Sequence, residues 1–231
     1  GKEAAVAVQR RLAELANRVP DPKALQSVVE CLCEVSRREM AGGHVPLAML
    51  NKYVSFIEGY VSDRRPQQLR FVLSALLSSG AIIQNLDWAS CLEPASDKLP
   101  VCAQLQARLV RSVVEHLAGD SDDKLRQCAF GCLGGLMVRD PSLLLNPRVS
   151  KLVTNALAKS GDFVTQLSVL RAFRLFLEQE DLKISLSTKG QQPKSGKEAI
   201  STERISAMST ALSNNFLPLI LESMFGPRGG G

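Results

Sequence analysis

Helix-stopping residues interrupt this chain at short, regular intervals, and no other feature constrains its fold as strongly. The breaks read VPDP (19–22), AGGHVP (41–46), SDRRP (62–66), QNLDWASCLEPASDKLP (84–100), AGDSDD (118–123), RDP (139–141), SGD (160–162) and a polar stretch over 182–200. Between them the apolar residues recur at the spacing of a helix. Val8, Leu12, Leu15 and Val19 form one predicted buried face, and Leu25, Val28, Leu32 and Val35 another. Leu105, Leu109, Val113 and Leu117 repeat the pattern, as do Phe163, Leu167, Leu170, Phe173 and Leu177. No segment alternates with the two-residue period of a strand, so the predicted fold class is all-α.

The breaks also mark helix starts. Asp21-Pro22, Asp140-Pro141 and Asn146-Pro147 each set a capping side chain before a proline, whose missing N–H costs nothing in the first turn. Gly119 and Gly161 stand where helices should stop. The helices then fall into four pairs, 2–18 with 21–40, 45–62 with 64–84, 99–118 with 121–139, and 147–160 with 163–181. A further helix over 201–225 opens a fifth pair. A period of about 40 residues is that of HEAT and armadillo repeats, whose pairs bury their apolar faces by stacking into an α-solenoid. The expected organisation is stacked HEAT-type pairs over 1–181, a flexible basic loop over 182–200, and a helix with a C-terminal tail over 201–231. Gly1 and the closing FGPRGGG lead us to expect a piece of a longer protein.

The stretch Asp120–Leu152 tests that reading, because its glycines and cysteines could instead belong to a phosphate loop or a metal site. A phosphate loop needs a preceding strand, and none is predicted. Gly131, Gly134 and Gly135 fall inside a helix, where each costs roughly 1 kcal/mol against alanine. Close approach of a neighbouring helix is the expected compensation. None of the six cysteines forms a CxxC pair, and each is read as a small buried apolar residue of a reducing compartment. The two histidines, His44 and His116, lack the spacing of a zinc site, and there is no GxSxG nucleophile elbow. The stretch GQQPKSGKE (190–198) departs from a P-loop in spacing and has no flanking strand. No catalytic residue, metal or cofactor is therefore expected, and no apolar run reaches the ~18 residues of a membrane span.

The net charge is +5. Lys183, Lys189, Lys194 and Lys197 against Glu198 give the stretch 182–200 a charge of +3, which leaves +2 for everything else. A solvated basic loop accounts for most of the excess. The remaining candidates for phosphate or partner contact are Arg64 and Arg65 beyond a helix end, Arg148 and Lys151, and Arg171 with Arg174 on one helix face. With only Tyr53, Tyr60 and Trp88 besides the phenylalanines, contact with nucleic acid should be to the backbone rather than to stacked bases.

One family has residues of this kind in this order. CAFGCLGGLMVRDPSLLLNPRVSKLVTNALAKS (128–160) and QLSVLRAFRLFLEQED (166–181), followed by a polar insertion and ISAMSTALSNNFLPLILESMF (205–225), resemble the Nipped-B/delangin family. QQLRFVLSALLSSGAIIQNLDW (67–88) resembles the repeat before them, so the likeness spans 65–225. That family is the large subunit of the cohesin loader, a hook-shaped HEAT solenoid several times longer than this chain. The resemblance implies a chromosome-associated, nuclear scaffold that does no catalysis itself. It would bind double-stranded DNA without sequence preference, bind the cohesin SMC heads and kleisin, and stimulate their ATPase. A tetratricopeptide partner subunit would dock outside this piece. The other reading is a HEAT scaffold of another pathway, such as a transport receptor or adaptor.

Overall fold

Short acceptor side chains open the helices. Asp21 Oδ2 accepts the Ala24 N–H at 2.8 Å, with Pro22 as the first helical residue. Asp122 Oδ1 accepts from Leu125 N at 2.8 Å, Asn146 Oδ1 from Arg148 N at 2.9 Å, and Asp162 Oδ1 from Thr165 N at 3.1 Å. Each bond satisfies a donor that has no partner inside its own helix. Asp140 does the same for Ser142 N at 3.2 Å, but the element it opens is a 3₁₀ turn, Pro141–Leu145, rather than an α-helix.

The computed structural model describes residues 2–38, 42–92, 97–118, 120–158, 162–188, 210 and 212–225, and among them it is helical with no strand. In chain order the α-helices are α1 (Lys2–Ala16), α2 (Pro22–Arg38), α3 (His44–Ser62), α4 (Leu69–Asn85), the single turn α5 (Trp88–Cys91), α6 (Lys98–Ser112), α7 (Asp123–Arg139), α8 (Pro147–Ala158), α9 (Phe163–Thr188) and α10 (Leu217–Phe225). The expected C-caps Gly119 and Gly161 lie outside the described residues, as do 189–209. The chain divides into two compact units, Gly1–Leu136 and Met137–Gly231.

In the first unit α1 packs on α2 and α3 on α4, and alternate helices also touch: α1 with α3, α3 with α6, and α2 with α4. The core is mostly apolar, with Val29, Leu32, Leu50, Val54, Ile57, Leu76, Ile82, Leu109 and Leu133 fully buried. α4 and α7 meet at their backbones. A Cβ added to Gly135 would lie 2.4 Å from the Gly80 carbonyl oxygen, and one added to Gly80 would lie 2.8 Å from Cys132 Cα. The close approach expected of the α7 glycines is therefore made by Gly135. Gly131 has only an ordinary contact, at 3.8 Å from Leu77 Cδ2. The break over 84–100 holds α5, which packs between α2 and α6. Its Cys91 carbonyl accepts from Gly43 N at 3.1 Å, next to the start of α3 at His44, a residue expected in a loop.

The face of α1 differs from the one expected. Val8 and Leu15 are exposed, while Gln9 and Ala16 are buried. Gln9 Nε2 donates to Ser36 Oγ at 3.2 Å and to the Gly42 carbonyl at 3.0 Å. A satisfied buried amide costs little, and it turns the helix one position away from its apolar stripe.

In the second unit α8 packs against α9 and α10, and Phe216 meets Phe173 with ring centroids 5.3 Å apart. The buried face of α9 is Thr165, Gln166, Ser168, Val169, Ala172, Phe173 and Phe176. Of the five residues expected there, only Phe173 belongs to this buried set. Gln166 Nε2 donates to the Leu157 carbonyl at 3.0 Å, closing the end of α8, and this bond draws a polar position inward. α9 also runs to Thr188, so residues 182–188 of the expected loop are helical.

Candidate functional site

Each candidate cation is placed by its element. Arg64 follows α3, and its guanidinium reaches the turn between α6 and α7. It pairs with the Asp120 carboxylate, donates to the His116 carbonyl at 3.0 Å and lies 5.6 Å from the centre of the Tyr60 ring. The chain makes that acceptor available by ending α6 in a π-helical turn, Val113–Leu117, with Ala118 N bonded to Val113 O at 2.9 Å. From the other side Arg126 donates to the carbonyls of Asp120 at 2.7 Å and Ser121 at 3.0 Å, and to Asp123 Oδ1 at 2.5 Å. Burial works to raise the Asp120 carboxyl. The Asp122 N–H and the Arg64 and Arg126 guanidiniums outweigh it and hold the group below its ordinary value. Arg64 is thus committed to closing a turn.

Arg65 pairs with Asp63 at 2.5 Å in solvent. Arg148 and Lys151 are exposed one turn apart on α8. On α9, Arg171 and Arg174 are exposed on one face, and Arg174 Nε bonds Glu178 Oε1 at 2.7 Å. The structure therefore brings the candidates together only in pairs close in sequence, Arg64 with Arg65 in the first unit, and Arg148 with Lys151 and Arg171 with Arg174 in the second.

Sequence reasoning missed the Arg108–Glu58 pair, in which α6 grips α3 through two parallel bonds, one of them Nε to Oε1 at 2.9 Å. The Arg108 hydrogen bond holds Glu58 below the usual carboxylate value. Its partners are fifty residues apart, and no local spacing announces such a pair. The Gly80 half of the backbone contact was missed too, although the run SSGAII carries the small residues that such an approach requires.

Among the described residues no group of three His, Cys, Asp or Glu side chains could hold a metal ion. No described helix is long and apolar enough to cross a membrane. Burial raises the thiols of Cys33 to about 12 and of Cys102 and Cys128 to about 11, away from the range of a nucleophilic cysteine. Cys31, expected to be buried, is exposed on α2 because its position falls opposite Leu25, Val29 and Leu32. What the surface offers is cations and apolar side chains on helix faces, which suits binding. No family model, curated protein or solved structure matches the chain.

Proposed function

We propose that this chain is a segment of a HEAT-type α-solenoid, and that it serves in the cohesin loader as a non-catalytic scaffold. The observation that carries the scaffold reading is the contact between alternate helices, α1 with α3, α3 with α6, and α2 with α4. Helix pairs that stack in register make such contacts, whereas a closed bundle of neighbours need not. The cohesin part rests on the resemblance of 65–225 to the Nipped-B/delangin family. On that reading the full protein works in the nucleus on chromosomes, contacting DNA phosphates, SMC heads and kleisin, with no cofactor. A second reading, a transport receptor or adaptor on the same repeat, is favoured by the apolar side chains that stand beside the arginines of α9, which suit a protein partner.

Two measurements test the proposal. The intact protein should co-purify with SMC and kleisin subunits and raise their ATPase rate on DNA. Its duplex affinity should fall with salt, and reversing charge at Arg148 and Lys151 should weaken binding and flatten that dependence. Failure to bind or stimulate cohesin would transfer the scaffold to the second reading.

A further inference from the structure

α9 carries two apolar faces, and the molecule uses one. The buried face is shared with α8 and Phe216. On the opposite side Phe163, Leu167 and Leu177 are 69%, 47% and 50% exposed, with Val164 at the edge. The helical repeat lines these residues up with Arg171 and Arg174 in one stripe, running about 20 Å along the helix. Single apolar residues on a surface are ordinary, but a row of large ones rimmed by charge marks an interaction site.

Charge chooses the occupant. Among the described residues Arg171 has no ion-pair partner, and Arg174 pairs only with Glu178, one turn along the same helix. Exposed pairs of that kind are worth little and exchange readily for an incoming carboxylate. A phosphate-tracking ridge gains nothing from Phe163, Leu167 and Leu177. Nor does the face resemble the chain's own helix stacking, since α4 and α7 meet through Gly80, Cys132 and Gly135 with no charge between them.

We propose that this outer face of α9 docks an amphipathic helix of a protein partner, one that carries carboxylates beside an apolar stripe of matching spacing. The inference stands on α9 alone and holds for either reading of the function.

The test uses the whole chain and two synthetic helical peptides of about 18 residues, the length that lies along such a stripe. Both carry leucines at helical spacing, one with glutamates around them and one with lysines. Fluorescence anisotropy should show the acidic peptide binding at least tenfold more tightly. Leu167→Glu, or Phe163→Ser with Leu177→Ser, should abolish that binding with the melting temperature unchanged. Arg171→Glu with Arg174→Glu should reverse the preference in favour of the lysine peptide. Equal affinity for the two peptides, or indifference to Leu167→Glu, overturns the proposal. So does duplex binding that is lost with the arginines but untouched by the apolar changes, which would assign the face to DNA. A dimer in sedimentation that Leu167→Glu dissolves would assign it to a second copy of the chain.

Discussion

Among single residues, the ion pairs of the first unit make the sharpest statement about acid. A carboxyl held below its unfolded value contributes stability above the ordinary carboxylate range, and loses that contribution as pH falls through its folded value. Asp120 and Glu58 both have this sign. The melting temperature should therefore drop below about pH 4, where unfolded carboxylates begin to take up protons. Asp120→Asn should cost about 1–2 kcal/mol at neutral pH, the worth of a charge-assisted bond discounted for the partial exposure of Arg64. The variant's curve should also fall less steeply in acid; parallel curves would mean the pair contributes nothing. Thiols give a second readout. A maleimide reagent at pH 8 should modify Cys31 rapidly in the native protein and reach the buried cysteines only in denaturant. Fast modification of Cys132, which is buried against Gly80, would contradict the packing of α7 on α4.

Within and between elements, the glycines separate cleanly. Gly135→Ala should destabilise the chain by about 3 kcal/mol or more, because the added carbon meets backbone rather than a side chain that could move. Gly59→Ala, in the last turn of α3 with nothing within 4 Å of its Cβ, should stabilise by about 0.5–1 kcal/mol. Gly131→Ala should behave like Gly59→Ala, since its nearest neighbour is at ordinary contact distance. Leu133→Ala, fully buried in α7, should cost about 2–5 kcal/mol in chemical denaturation. Helix positions and starts were legible in the sequence because caps and prolines act locally, as Asp21 and Asn146 do. The face of α6 was legible as well, since Leu105, Leu109, Val113 and Leu117 are all buried. The faces of α1 and α9 were not. Hydrophobic periodicity treats glutamine as surface, whereas Gln9 and Gln166 are buried by bonds to distant backbone carbonyls. The same blindness hid the commitment of Arg64, whose partner Asp120 lies fifty-six residues away. The outer stripe of α9 was read as core for the converse reason, since spacing reports that a face is apolar and not whether anything covers it.

Across the whole molecule, reporters are unevenly distributed. Trp88, Tyr53, Tyr60 and all six cysteines belong to the unit that ends at Leu136. Fluorescence and thiol labelling therefore follow that unit, while circular dichroism at 222 nm follows the helices of both. Two compact units should give non-coincident denaturation curves by the two probes; superimposable curves would show that they unfold as one. The division between the units falls inside α7, between Leu136 and Met137, where no loop intervenes. A gene fragment that stopped at the division would end in mid-helix and strand a turn of carbonyls that α7 now pairs within itself. α7 is therefore indivisible as a stretch of code, because its backbone bonds run across the division. A piece made to study the first unit should therefore run through residue 139, and any exchange of halves between related chains has to carry that helix across intact.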